Sequence, residues 1–217
     1  MINLYNCDCM EFMKDVPDNH FDLCIADPPY GSTWDALEKD KAESKKQACK
    51  RKVYKQFENI SPTKEYFIEL KRVSKKQIIW GCNFYSNVDL SGGRLVWDKK
   101  GTAFGRAEMA YLSMTKSVNI FEYTWNGMIQ ENMKNKELRI HPTQKPVALY
   151  EWLLKNYAKE GDKILDTHGG SMSIAIACHN MNFDLDLCEL DEDYFKAGKE
   201  RLEKHQNQAT LLDLLKG

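Results

Sequence analysis

The apolar run Phe21-Asp22-Leu23-Cys24-Ile25 stops at Ala26-Asp27-Pro28-Pro29-Tyr30-Gly31, and that junction constrains the chain more than any other stretch. The run itself predicts a buried strand. Pro28 and Pro29 donate no backbone N–H and each holds φ near −65°, so sheet pairing has to end there and the segment that follows is stiff. In open α/β sheets, ligands bind at the carboxyl ends of strands. A stiff turn at that place leaves the Asp27 carboxylate and the carbonyls of Asp27 and Pro28 as a fixed row of acceptors, with the Tyr30 ring beside them. Such a row suits an NH2 group on a flat ring. Two acceptors that take both hydrogens turn the nitrogen towards tetrahedral geometry and free its lone pair, while an aromatic ring holds the base by stacking, worth roughly 1–3 kcal/mol. Four residues alone also make an ordinary turn after a strand, so the motif needs company.

Two later stretches supply it. His141-Pro-Thr-Gln-Lys-Pro146 opens a helix whose apolar positions Val147, Tyr150, Leu153, Leu154 and Tyr157 recur at helical spacing. Thr143 is the expected cap. Lys145, beside the free N–H groups of a helix start, makes a place for a carboxylate. Lys163–Asp166 predicts a strand that feeds the glycine-containing turn Thr167-His168-Gly169-Gly170-Ser171 and a helix over 174–178. A backbone of this kind can approach a ligand closely. A further strand over 183–187 ends at Cys188-Glu189, and an acid at that position, twenty-three residues after Asp166, has the spacing that binds ribose hydroxyls. The turn is not Gly-x-Gly-x-x-Gly, and a sulfonium amino acid joined to one nucleoside fits it better than a dinucleotide.

Taken in order, these three motifs resemble those of the DNA amino-methyltransferases that use S-adenosylmethionine, over roughly residues 3 to 203. With the Asp-Pro-Pro-Tyr motif first and the glycine-rich motif last, the chain looks like the circularly permuted β-class. The resemblance implies an α/β, Rossmann-like class I methyltransferase fold: a mostly parallel seven-stranded sheet with an antiparallel hairpin at one edge. It implies methyl transfer to the N6 amine of adenine in DNA, with Asp27, Pro28, Pro29 and Tyr30 at the amine and no metal. It places Asp8, Thr143, Gln144, Lys145, Asp166, Thr167, His168, Gly169, Gly170, Ser171 and Glu189 around S-adenosylmethionine. Cytosine members of the family more often carry serine where Asp27 stands, so adenine leads. Cytosine N4, adenine in RNA, and a silent nucleic-acid-binding subunit are the rivals. Three positions depart from the family pattern: Thr167 and His168 replace proline and phenylalanine, and Met172 replaces the last glycine, setting a side chain where backbone commonly meets the cofactor.

At 217 residues the chain suits one domain, 1–217. Its net charge of −1 argues against non-specific coating of nucleic acid, so DNA contact needs a local basic face. The candidate face is an insert at 32–62, where Lys45, Lys46, Lys50, Arg51 and Lys52 crowd near Trp34 and Tyr54, a composition suited to gripping phosphates. The segment 125–140, with Lys134 and Arg139, is the candidate target-recognition stretch, and it is short. Its reading is expected to be shared with residues 32–60, supplied by a second subunit of a homodimer, or only weakly specific. Seven cysteines contain no Cys-x-x-Cys pair and suggest reduced thiols in a cytosolic protein. No apolar run approaches ~20 residues, so no membrane span is expected.

The remaining pattern predicts strands at Ile2–Tyr5 and Gln77–Trp80, a helix capped by Asp8, and a helix from Ser61-Pro62 to Val73. Strands are expected at 95–97, 108–114 and 118–123, the last two forming a hairpin through Thr115-Lys116-Ser117. Asp191 is placed to cap the final helix.

Overall fold

A computed structural model of the chain describes residues 1–31, 59–101, 105–126 and 129–214. The basic cluster Lys45, Lys46, Lys50, Arg51 and Lys52 lies outside these described residues. The sheet has eight strands: β1 (Ile2–Tyr5), β2 (Leu23–Ala26), β3 (Gln77–Trp80), β4 (Gly93–Asp98), β5 (Ala107–Leu112), β6 (Val118–Glu122), β7 (Lys163–Asp166) and β8 (Asp184–Cys188). Their order across the sheet is β1-β8-β7-β2-β3-β5-β4-β6. β5 is antiparallel to both neighbours, and every other pairing is parallel.

The helices are α1 (Cys9–Lys14), α2 (Lys64–Val73), α3 (Val147–Tyr157), α4 (Ser173–Met181) and α5 (Glu192–Leu214). Strand β2 shows why the sheet is sandwiched: all four of its residues are buried. Leu23 and Ile25 join the core shared with α3, α4 and α5, while Cys24 and Ala26 join the one shared with α1 and α2. A strand buried on both faces reads as a continuous apolar run, which is what residues 23–26 are. Each fully buried Leu or Ile contributes about 1.5–3 kcal/mol relative to exposure.

Two expectations about the sheet are corrected. It has eight strands rather than seven, and the hairpin joins β4 to β5, with Gly93 opposite Leu112 and Asp98 opposite Ala107. The strand at Val118–Glu122 does not pair with β5; it passes over the start of β4 and runs parallel to it as the edge strand. Gly93 permits that crossing. Its N–H donates to the Thr115 carbonyl at 2.5 Å, and a Cβ there would lie 2.6 Å from the Ser117 carbonyl oxygen. Without a side chain the 115–117 turn can lie across the strand end.

Helix starts differ slightly from the pattern. Helix α2 begins at Lys64 with Thr63 as its cap residue. Thr143 does not cap α3, whose cap position is Pro146; the Thr143 N–H and hydroxyl instead meet His141 Nδ1 at 3.3 and 3.1 Å. Asp8 and Asp191 act as expected, accepting from Met10 N at 2.6 Å and from Asp193 N at 2.9 Å.

Because five neighbouring strands are parallel, the ends of β1, β8, β7, β2 and β3 share one edge of the sheet. The reversal of β5 brings its first residues, Ala107 and Glu108, to that same edge.

Candidate active site

A cleft of about 850 Å³ opens along this edge. Asp27, Pro28, Pro29 and Tyr30 line one side of it. Thr167, His168, Gly169, Gly170, Ser171 and Glu189 line the other, with Asp8, Thr143, Gln144 and Lys145 completing the wall. The expected nucleic-acid residues Lys134 and Arg139 do not line the cleft, and of those expected at the amine and the cofactor, Asp166 does not. It lies 2% exposed beneath the turn and accepts the His168 N–H at 2.9 Å.

The Asp27 side is held by charge. Tyr30 donates its hydroxyl to Asp27 Oδ1 at 2.7 Å, and the Lys145 ammonium donates to Asp27 Oδ2 at 2.5 Å and to the Tyr30 oxygen at 3.3 Å. Lys145 also meets Glu108 Oε2 at 3.0 Å. Burial alone would lower the lysine's pKa, but Asp27 and Glu108 together push it up, so it stays charged. Glu108 carries the mirror-image balance: burial favours its neutral form, and Lys145 with Lys99 overrides that and holds it near 2. Burial, then Asp27 and Glu108, raise the Tyr30 phenol well above its ordinary range, keeping it a donor.

Neighbouring rings and carbonyls fix the Pro-Pro turn. The Tyr30 ring stacks on Phe84 with centroids 4.9 Å apart and planes 11° from parallel. Tyr85 donates its hydroxyl to the Pro28 carbonyl at 2.9 Å. Sequence reasoning missed Glu108, Phe84 and Tyr85. The last two lie just beyond the end of β3, at the strand-end edge where ligands bind in such sheets, and that position was the available signal.

Backbone and close packing build the other side. Gly169 needs to be glycine, since a Cβ there would overlap the Leu187 side chain of β8. Its N–H donates to the Cys188 carbonyl at 2.8 Å, and the Gly170 N–H donates to Glu189 Oε2 at 2.6 Å. The Tyr66 and Thr167 hydroxyls lie 2.7 Å apart, and Thr167 Oγ1 lies 2.9 Å from His168 Nδ1. Burial lowers the His168 pKa to about 4, so the ring is neutral. Asp166 is pushed the opposite way from Glu108. Burial raises it to about 8, and the His168 N–H only partly opposes this.

Met172 does not obstruct this side. It has φ of 55° and is fully buried, and its side chain packs against Gly198 of α5, away from the residues that line the cleft. A non-glycine residue in that conformation costs about 1–2 kcal/mol, which core burial offsets.

The segment 125–140 is tied to the same edge. Gln144 Oε1 accepts the Ile140 N–H at 2.9 Å, and Arg201 joins Glu137 at 2.7 Å while donating to the Ser171 carbonyl at 2.7 Å. Within it Lys134 is exposed, and Arg139 is half-buried and donates to the Pro142 carbonyl at 2.6 Å.

Strand order, the single reversed strand and a cleft at the strand ends define an α/β fold of the class I methyltransferase type. The structure of M1.HpyAVI with S-adenosylmethionine superposes with a TM-score of 0.57 at 20% identity, covering 93% of this chain and 100% of that one. PvuII DNA methyltransferase, described as cytosine-N4-specific, gives 0.60 at 13% identity over 95% and 92%.

Within that class, residues 96–200 match a family model for N6 and N4 methyltransferases described as DNA methylase. The type II methyltransferase M.HpaI of Haemophilus parainfluenzae is 35% identical over 79 residues, 36% of this chain and 25% of its own length. The chain therefore spans only a quarter of that relative. The methylase YubD of Escherichia coli (strain K12), itself named only provisionally, is 26% identical over 208 residues, 90% of this chain and 87% of its own. Among the described residues no helix is long and apolar enough to cross a membrane.

Proposed function

We propose that the chain transfers the methyl group of S-adenosylmethionine to the N6 amine of adenine in DNA. The observation that carries this is a single cleft lined on one side by Asp27, Pro28, Pro29 and Tyr30 and on the other by residues 167–171 and Glu189. The residues present suit the cofactor. A glycine-made turn lets backbone come close, the Glu189 and Asp8 carboxylates offer acceptors to a nucleoside, and the volume lies within the range of small-molecule sites. Thr143 and Gln144 complete that wall. When bound, S-adenosylmethionine supplies a methyl group already activated by its sulfonium.

The protein's own work is to present the amine. The Tyr30 and Lys145 hydrogen bonds each occupy one lone pair of an Asp27 oxygen, and Tyr85 occupies one on the Pro28 carbonyl. The remaining lone pairs accept the two N–H hydrogens of the target and free the nitrogen lone pair to attack the activated methyl group. The proton released afterwards leaves through Asp27 to water. A base inside a duplex cannot reach this ledge, so it is flipped out at a cost of a few kcal/mol. Basic residues outside the described part, with Lys134 and Arg139, are the proposed phosphate contacts, and the proposed assembly is a homodimer on DNA. Asp27 favours adenine, since serine is commoner there in the cytosine members of the resembled family. Cytosine N4 is the alternative that the PvuII likeness keeps in play.

Unmethylated DNA incubated with the chain and S-adenosylmethionine, then digested to nucleosides for mass spectrometry, tests this. N6-methyldeoxyadenosine is expected. N4-methyldeoxycytidine redirects the base assignment. No methylated nucleoside, with no heat on calorimetric titration of S-adenosylmethionine, overturns the proposal in favour of a silent binding subunit.

A further inference from the structure

Glu108 belongs to none of the three motifs, yet it is the second residue of β5, and the reversal of that strand carries it to the sheet edge where the cleft opens, behind Lys145. Its two carboxylate oxygens are divided between two lysines. Oε2 meets Lys145 at 3.0 Å, and Oε1 takes Lys99, which lies over the Trp97 ring at 4.6 Å. The Lys145 side chain is 3% exposed and its ammonium is shared among Asp27, Tyr30 and Glu108. Trp80 lies on another side of that ammonium, its ring centroid 5.3 Å away. A buried ammonium with two carboxylate partners is pulled by both, and neither neutralises it alone.

From this geometry we infer that Glu108 is a positioning residue for methyl transfer: by sharing the Lys145 ammonium with Asp27 it offsets part of the lysine's charge, so that Asp27 keeps its strength as an acceptor for the target amine. This rests on the amine role proposed for Asp27. Asp27 and Glu108 balance the charges of Lys145 and Lys99. As methyl transfer proceeds, positive charge arrives at the amine nitrogen, and a cluster with no excess positive charge favours it in a partly desolvated cleft. Replacing Glu108 by a neutral residue leaves two lysines against one aspartate. Asp27 alone then offsets the Lys145 ammonium, which weakens it as an acceptor and leaves the cluster net positive. Binding of the cofactor on the opposite wall is untouched.

The test compares Glu108→Gln, which keeps the shape and loses the charge, with Glu108→Asp, which keeps the charge and shortens the side chain. Methyl transfer to unmethylated DNA gives kcat and KM, calorimetric titration gives cofactor affinity, and thermal melting reports folding. Glu108→Gln is expected to lower kcat by about 10- to 100-fold while KM for DNA and cofactor affinity stay within about threefold, the pattern of a group that acts in the transition state. Glu108→Asp is expected to keep more kcat than Gln does. A kcat loss below about tenfold in the Gln variant, a parallel loss of cofactor affinity, or better activity in Gln than in Asp overturns the inference. If the Gln variant does not fold, the Asp variant decides: kcat nearer to wild type than to the Asp27→Ala variant supports the inference, and kcat as low as in Asp27→Ala overturns it. Full activity in Asp27→Ala would instead remove the amine role itself, so the two failures are distinguishable.

Discussion

Two carboxyl groups beside one cleft, neither among the residues that line it, are held in opposite states. Glu108, between Lys145 and Lys99, is kept ionised to about pH 2. Asp166, under the turn of residues 167–171 with one backbone N–H for a partner, keeps its proton to about pH 8. Burial pushes both upward, and only at Glu108 do the neighbouring cations reverse it. The wall proposed to meet the amine is therefore built from paired charges, and the wall proposed for the cofactor from backbone, hydroxyls and close packing. The first should be sensitive to charge and tolerant of shape, the second the reverse.

The largest break is expected at Lys145. Lys145→Met leaves Asp27 without its cation and Glu108 with Lys99 alone, and losing one partner of a buried ion group costs about 3–5 kcal/mol. Chemical denaturation should record that loss, with methyl transfer down by about 100-fold or more in any folded fraction. Next, Gly169→Ala adds only a methyl group, but one that meets Leu187, and overpacking of this kind costs about 1–3 kcal/mol. Calorimetry should show weaker cofactor binding, while the Asp27 wall keeps its ion pairs.

A third difference is read in pH. Unfolded, Asp166 releases its proton near 3.8; folded, it keeps it to about 8. Between those values the folded state holds the extra proton, so this group's contribution to stability falls as pH rises. Asp166→Asn should flatten that part of the stability curve. Glu108 works in the other direction: its folded pKa is depressed, so its contribution is present above about pH 4.5 and is lost as pH falls towards 2. The smallest effect is expected for Phe84→Leu, which removes the stack beneath Tyr30, worth about 0.5–1.5 kcal/mol. Phe84 is 40% exposed, which favours the low end.

Local chemistry decided what could be read from the sequence. Strands Gln77–Trp80 and Lys163–Asp166 were legible because short apolar runs ended in residues that break or turn the chain, and Pro28-Pro29 marked the end of β2 for the same reason. Partners far apart in the chain were not legible. Lys145 reads as a carboxylate-binding lysine near a helix start, and only the fold shows its ammonium taken by Asp27 and Glu108. Glu108 could not be singled out, because an acid near the start of an expected strand acquires meaning only once β5 is known to run backwards. The 118–122 strand was assigned to the wrong neighbour because the missing side chain at Gly93, twenty-five residues earlier, decides the crossing. Met172 looked like an obstacle because a residue's name does not say which way its side chain turns.

The most direct measurement pairs two readouts on Asp27→Ala: heat on titration with S-adenosylmethionine, and methylated nucleosides in DNA after incubation. The account predicts cofactor binding close to that of the unaltered chain and no detectable N6-methyldeoxyadenosine. Methylation at the unaltered rate in that variant would contradict it.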